Sequence, residues 1–126
     1  MLKERACGAT IPAADIDRAI AWYRDKLGLE PADKTPGGAT YVCGQGTRFD
    51  LYPSQFAGTG QQTVMGWETP ELEKEMEELR AGGVTFEEYD LPGIKTANGI
   101  ADMGGERGCW FKDSEGNTLS LFERTS

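Results

Sequence analysis

The sequence has no histidine among its 126 residues. That absence removes the usual acid–base group of enzymes at neutral pH and the commonest metal ligand. Cysteine is scarce as well. Cys7, Cys43 and Cys109 are odd in number and show neither a CxxC pair nor zinc-type spacing, which fits free thiols in a reducing compartment. With no histidine to generate a thiolate, a nucleophilic cysteine has no base, and a buried, small apolar role is expected instead. No apolar run approaches the ~20 residues that cross a bilayer. The N-terminal MLKERACGAT carries charges with no apolar stretch behind them, unlike a secretory signal, and a cytoplasmic location is expected. Basic charge is also in short supply: 13 Lys and Arg face 21 Asp and Glu, a formal net charge of -8. Nucleic acids and anionic membranes both need a basic patch, so neither is an expected partner. A neutral or cationic small molecule stays compatible, although acidity also simply keeps a protein soluble.

What is present is one domain, 1–126, with 38% hydrophobic residues and a mean hydropathy of -0.51. A chain of this length can bury a core without disulfide or metal staples. Ala6 to Ile11 reads as a short strand closed by Pro12. Asp15 is placed to cap a helix, with Asp17 in its first turn. Ile16, Ala19, Ile20, Tyr23 and Leu27 form one apolar stripe, and Gly28 is its stop. Strands follow at Leu29–Lys34, Ala39–Cys43 and Thr47–Tyr52, the last stopped by Pro53, with turns at residues 35–38 and 44–46.

The second half repeats this order. A strand at Gln62–Trp67 precedes a helix capped by Thr69 with Pro70 in first position. Leu72, Met76 and Leu79 give the apolar stripe, a Glu-rich face is left to solvent, and Gly82-Gly83 end the helix. Strands are expected at Val84–Tyr89, Gly108–Asp113 and Thr118–Glu123, with a Gly-containing insert from Pro92 to Gly105. The two caps, Asp15 and Thr69, lie 54 residues apart, and the closing strands from Gly46 and Gly116 align at an offset of 70. The chain therefore reads as an α+β domain of two β-α-β-β-β modules, about 5–54 and about 60–124.

Three stretches carry a family resemblance. IPAADIDRAIAWYRDKLGL (11–29) resembles the D-x-x-x-A-x-x-F/W-Y-x-x-x-L-G opening helix of the vicinal oxygen chelate superfamily, the glyoxalase, bleomycin-resistance and extradiol dioxygenase relatives. WFKDSEGNTLSLF (110–122) resembles its F-x-D-P-x-G-N-x-L-x-L close, and RAGGVTF (80–86) fits the helix-to-strand junction between them. The resemblance implies paired modules in a U-shaped, partly open barrel. It also implies a divalent metal held by one residue on the first strand and one on the last strand of each module. Those positions fall at Gly8, to within about one residue, and Asp50 in the first module and at about Gln62 and Ser120 in the second. Glycine offers no side chain, glutamine and serine are weak neutral donors, and only Asp50 is charged, too little for a tight transition-metal site or for Mg²⁺. Glu123 is set on the opposite face from Ser120 by strand alternation. No metal or other cofactor is expected.

What the resemblance leaves is a cavity whose inward parity includes Asp50, Tyr52, Gln62, Val64, Gly66, Ser120 and Phe122, with Tyr41 and Trp110 as neighbours. Aromatic walls with a few polar anchors are the usual make-up of a small-molecule pocket. Each aromatic residue has core packing as its alternative, and Asp50 has an ion pair with Arg48 or Arg107. Gly37-Gly38 and Gly104-Gly105 read as turns, since neither opens a helix after a strand as a phosphate loop does. The Leu91–Gly99 segment reads as a lid or binding loop, with Lys95 or Asn98 within reach of a ligand.

Three functions follow. One is a metal-free protein that sequesters a small hydrophobic or cationic molecule, as drug-binding members of the family do, with a homodimer expected by analogy. A second is a lyase, isomerase or dioxygenase-type enzyme. It would use an atypical divalent-metal site, or Asp50 as a general base raised by burial, with Tyr41, Tyr52 or Lys112 supplying the acid. The third is an interaction module whose cavity has no specific ligand.

Overall fold

The computed structural model describes residues 1–125. The first half holds β1 (Ala9–Ala13), α1 (Ile16–Leu27), β2 (Asp33–Thr35), β3 (Gly38–Val42) and β4 (Arg48–Pro53). Its sheet runs β1-β4-β3-β2, with β1 parallel to β4 and the other pairs antiparallel. The Asp15 side chain accepts the Arg18 N–H at 3.1 Å, and Gly28 closes α1 in the left-handed region at φ 70°. Alternation then sorts the strands. Ile11, Ala39, Tyr41, Phe49 and Leu51 are buried beneath α1, where Ala19 and Tyr23 meet them, while Thr10, Arg48 and Asp50 face outward on the other side. Pro53 ends its strand as expected to within one residue, but Pro12 does not. Pro12 lies inside β1, which has a hydrogen-bonded neighbour on one side only, and Pro53 is the last residue of β4. An edge or terminal position tolerates a missing N–H.

The second half holds β5 (Thr63–Glu68), α2 (Leu72–Ala81), β6 (Asp90–Leu91), β7 (Ile94–Ala97), β8 (Ile100–Asp102), β9 (Glu106–Lys112) and β10 (Thr118–Arg124). Its sheet runs β5-β10-β9-β8-β7-β6, and the parallel β5–β10 pair repeats the parallel β1–β4 pair. Three expectations change here. The helix begins two residues late: Thr69 Oγ1 accepts from the Glu71 N–H at 3.1 Å, and the Leu72 N–H donates to Glu123 Oε2 at 3.2 Å. The first turn is thus capped by a carboxylate 51 positions away, which no local pattern announces. The strand expected at Val84–Tyr89 shrinks to one bridge, Phe86 to Phe111, with the Glu87 N–H donating to the Trp110 carbonyl at 2.8 Å. The insert is no lid: β6, β7 and β8 extend the sheet as a meander.

The halves are joined by α1 and the Asp113–Asn117 turn. Asp113 accepts four hydrogen bonds: from the Glu115 and Asn117 N–H groups, the Asn117 amide and the Tyr23 hydroxyl, all within 2.8–2.9 Å. Glu115 accepts from the Asp15 N–H and takes both Nε and Nη2 of Arg18, at 2.9–3.0 Å. Asn117 donates to the Pro12 carbonyl at 2.8 Å and accepts from the Gly58 N–H at 3.3 Å. Above this turn Trp22 stacks on Phe111, centroids 6.4 Å apart, so one core from Ile11 to Leu121 runs through both halves.

Candidate functional site

β9 and β10 set the stage. Their register places Trp110 opposite Ser120, Gly108 opposite Phe122 and Lys112 opposite Thr118, all on the sheet face turned away from α2. The Phe86–Phe111 bridge brings residues 86–89 alongside β9, and alternation then puts Glu87 and Tyr89 on the Trp110 side. Tyr89 meets Trp110 edge to face, centroids 5.6 Å apart at 67°. The result is a groove of three depressions that share residues. One, about 560 Å³, is lined by Gln62, Glu87, Tyr89, Leu91, Ile94, Trp110 and Lys112 among others. A second, about 360 Å³, continues from Trp110 past Ser120 to Phe122, with Met103, Glu106 and Arg124 on its walls. The third, about 720 Å³, runs from Phe122 and Arg124 past Gly66 to the Cys43–Thr47 turn of the first half.

Four of the expected ligand contacts, Gln62, Trp110, Ser120 and Phe122, therefore line two adjoining depressions that share Trp110. The others do not join them. Tyr41 sits under α1, stacked on Phe49 with centroids 4.6 Å apart, and among the described residues its buried hydroxyl has no hydrogen-bond partner. Burial pushes its pKa up to about 12, so it is no acid for chemistry at neutral pH. Val64 is the residue skipped where the β5–β10 register shifts, and it packs against the core. Asp50 and Tyr52 lie on the open face of the first sheet and line none of the three depressions. Asp50 is exposed and accepts from the Thr40 hydroxyl at 2.6 Å. The burial expected for it is not met. Neither expected arginine pairs with it: Arg107 instead grips Glu73 and Glu123, which locks α2 onto β9 and β10.

The groove residues that the sequence does not single out are Glu87, Tyr89, Met103, Glu106 and Arg124, while Leu91 and Ile94 come from the segment expected as a lid or binding loop. Alternation within residues 84–89 already put Glu87 and Tyr89 on one face. What was missing was the neighbour, since only the long-range bridge to Phe111 tells that this face is shared with Trp110. Lys95 and Asn98 are not on the groove wall, and the Asn98 carbonyl accepts from Arg80 at 3.0 Å elsewhere.

The four family metal positions do not fit a divalent ion. A Cβ at Gly8 would stand 2.7 Å from the Arg48 carbonyl oxygen, so this position is closed to a ligating side chain as well as lacking one. Gln62 is exposed in the segment before β5, Ser120 lies in the groove, and Asp50 is exposed on β4 and lines none of the three depressions. Among the described residues no three His, Cys, Asp or Glu side chains converge as a metal site. Burial pushes the Cys109 thiol up to about 11, whereas Cys7 is exposed rather than in the core.

Comparison with known proteins agrees with the fold. The profile of the Glyoxalase/Bleomycin resistance protein/Dioxygenase superfamily matches residues 8–121. The crystal structure of UcmS2 superposes with a TM-score of 0.73 at 22% identity, covering 94% of this chain and 96% of the other. A glyoxalase/bleomycin resistance protein from Catenulispora acidiphila gives 0.66 at 22% identity, over 94% and 96% of the two chains. Lactoylglutathione lyase from Agrobacterium tumefaciens gives 0.66 at 21% identity, over 95% and 93%. No curated protein matches the sequence.

Proposed function

The chain belongs to the Glyoxalase/Bleomycin resistance protein/Dioxygenase superfamily, and within it we propose a metal-free protein that binds a small, hydrophobic or cationic organic molecule without transforming it. The binding site is the groove centred on Trp110. One observation carries this reading. The residues at the family's metal positions do not suit a divalent ion, while the aromatic and polar side chains of β9, β10 and residues 86–94 line adjoining depressions that share Trp110. The volume of the depression between Trp110 and Tyr89, about 560 Å³, lies within the range usual for small-molecule sites. An enzyme with Asp50 as base has less support, because that carboxylate is exposed and lines none of the three depressions.

A cytoplasmic location and a homodimer belong to the same proposal. Among the described residues no helix is long and apolar enough to cross a membrane. The open face of the first sheet exposes Val42 at 52% and Tyr52 at 37%, a surface that a second copy would cover. Light scattering at twice the monomer mass is the expected result.

Thermal unfolding tests the ligand reading. EDTA-treated protein is melted alone, with Mn²⁺, Zn²⁺, Ni²⁺ or Mg²⁺, and with a panel of aromatic and cationic metabolites. A compound at about 100 times its Kd stabilises the native state by about 2.7 kcal/mol. Metals are expected to leave Tm unchanged. An organic compound is expected to raise it in the wild type and not in Trp110→Ala. Stabilisation by a micromolar metal returns the metalloenzyme reading.

A further inference from the structure

We infer that the depression bounded by Trp110, Tyr89, Glu87 and Lys112 takes a zwitterionic aromatic molecule of the α-amino acid type. This rests on the reading that the groove is the ligand site, and it names the class of ligand.

The argument begins with two opposite charges left uncommitted on one wall. Glu87 is half-buried and, among the described residues, its carboxylate takes part in no hydrogen bond or ion pair. Lys112 donates to the Thr118 hydroxyl at 2.6 Å, and among the described residues it has no carboxylate within ion-pair distance. Glu87 lies opposite Trp110, and Lys112 is two residues further along β9 on the same face. Such diagonal neighbours have their backbone positions roughly 7–8 Å apart. Both side chains line the same depression without neutralising each other. Opposite charges that line one depression suit the head group of an α-amino acid, whose ammonium and carboxylate share one carbon. Glu87 receives the ammonium and Lys112 the carboxylate, each through a charge-assisted hydrogen bond.

The rest of the wall fits the other end of such a molecule. Trp110 and Tyr89 meet edge to face and offer a ring an aromatic corner. Leu91, exposed at 58%, and Ile94 stand beside them on the β6–β7 hairpin, an apolar surface for the ring's far face. A ligand with one charge only would satisfy one side chain and leave the other facing it unpaired. The site therefore discriminates by head group, with the ring supplying contact area.

Isothermal titration of the full chain tests this with L-phenylalanine, L-tyrosine and L-tryptophan against 2-phenylethylamine, which lacks the carboxylate, and 3-phenylpropanoate, which lacks the ammonium. At least one amino acid is expected to bind about tenfold or more tighter than either analogue, the effect of one charge-assisted hydrogen bond. Glu87→Gln is expected to weaken that amino acid about tenfold and leave 3-phenylpropanoate unchanged. Lys112→Met is expected to weaken it similarly and leave 2-phenylethylamine unchanged. Amino acids that bind no tighter than the analogues, or not at all up to about 10 mM, overturn the inference. If a singly charged or neutral compound then binds and Trp110→Ala abolishes that binding, the groove reading survives alone. If no organic compound binds the wild type, both fall.

Discussion

The turn before the last strand occurs twice in this molecule, and the two copies have opposite fates. In the first half it is Cys43–Thr47, between β3 and β4; in the second it is Asp113–Asn117, between β9 and β10. Gly46 and Gly116 hold matching left-handed positions, at φ 74° and 86°. The first copy closes on itself, with Thr47 donating to the Gly44 carbonyl at 2.8 Å, and its remaining side chains border the groove. The second is buried and sends side chains to α1, β1 and the linker at Gly58. Duplication thus supplied one turn to bind the halves together and freed the other for the surface. The D-x-x-G-N pattern that marks the family's closing strand is, in this chain, an intermodule lock whose side chains point to the other half, with only Gly116 bordering the groove.

The largest expected effect comes from cutting that lock. Asp113→Ala strips partners from two backbone N–H groups, the Asn117 amide and the Tyr23 hydroxyl, all buried. A loss of about 3 kcal/mol or more is expected in urea or thermal unfolding. The matched change in the other copy, Cys43→Ala, is expected to stay below about 1 kcal/mol, in line with a half-exposed side chain. Equal losses at the two positions would remove the distinction.

Glu115 adds a pH dependence that only the second copy has. The hydrogen bond from Arg18, with help from the Asp15 N–H and Ser114, holds its carboxyl down at about 2, against an ordinary value of 4.5. The folded state therefore binds its proton less readily than the unfolded state. The stabilisation is complete above about pH 4.5 and is lost as pH falls towards about 2. Because Arg18 is more than half exposed, solvent screens the pair, and Glu115→Gln should destabilise by roughly 2 kcal/mol at pH 7. The gap between wild type and variant should close between pH 4.5 and about 2. A gap independent of pH across that window would assign the effect to packing.

How legible was this beforehand? The two helices, their stripes, the Asp15 cap and the repeated order were local patterns, so they could be read. Strand parity placed Ser120 and Phe122 correctly on the groove face, because β10 is regular. It failed at Val64, where a bulge shifts the phase, and it had no means of joining Asp50 to the groove or separating it. The start of α2 depends on Glu123, and the site depends on Glu87 meeting Trp110. Both are contacts across long sequence separation, and neither leaves a local trace. The tetrad of hydrogen bonds on Asp113 was invisible for the same reason, although its residues were already named in the family motif.

Two tyrosines of the first half sharpen the comparison at smaller scale. Both rings are fully buried, but the Tyr23 hydroxyl reaches the lock through Asp113 while the Tyr41 hydroxyl reaches nothing among the described residues. Tyr23→Phe should cost about 1–2 kcal/mol, since a hydrogen bond to a charged group is lost. Tyr41→Phe removes an unsatisfied oxygen and keeps the stack on Phe49, so it should be neutral or stabilise by up to about 1 kcal/mol. Destabilisation by Tyr41→Phe comparable to that of Tyr23→Phe would mean that the Tyr41 hydroxyl has a partner.

The smallest expected effect lies at the tip of the free turn. Gln45 holds φ 59°, a left-handed conformation that L residues other than Asn and Asp rarely adopt. Its counterpart Glu115 avoids that region. A side chain there strains the backbone by about 1 kcal/mol, and glycine removes the strain while adding entropy to the unfolded chain. The two nearly cancel, so Gln45→Gly should stabilise by a few tenths of a kcal/mol, roughly. The variant also separates two roles for this turn. Gln45 borders the groove beside Gly66 and Phe122, so unchanged stability with weakened ligand binding would show that the freed copy contributes to recognition. Unchanged binding would confine the ligand to the Trp110 end.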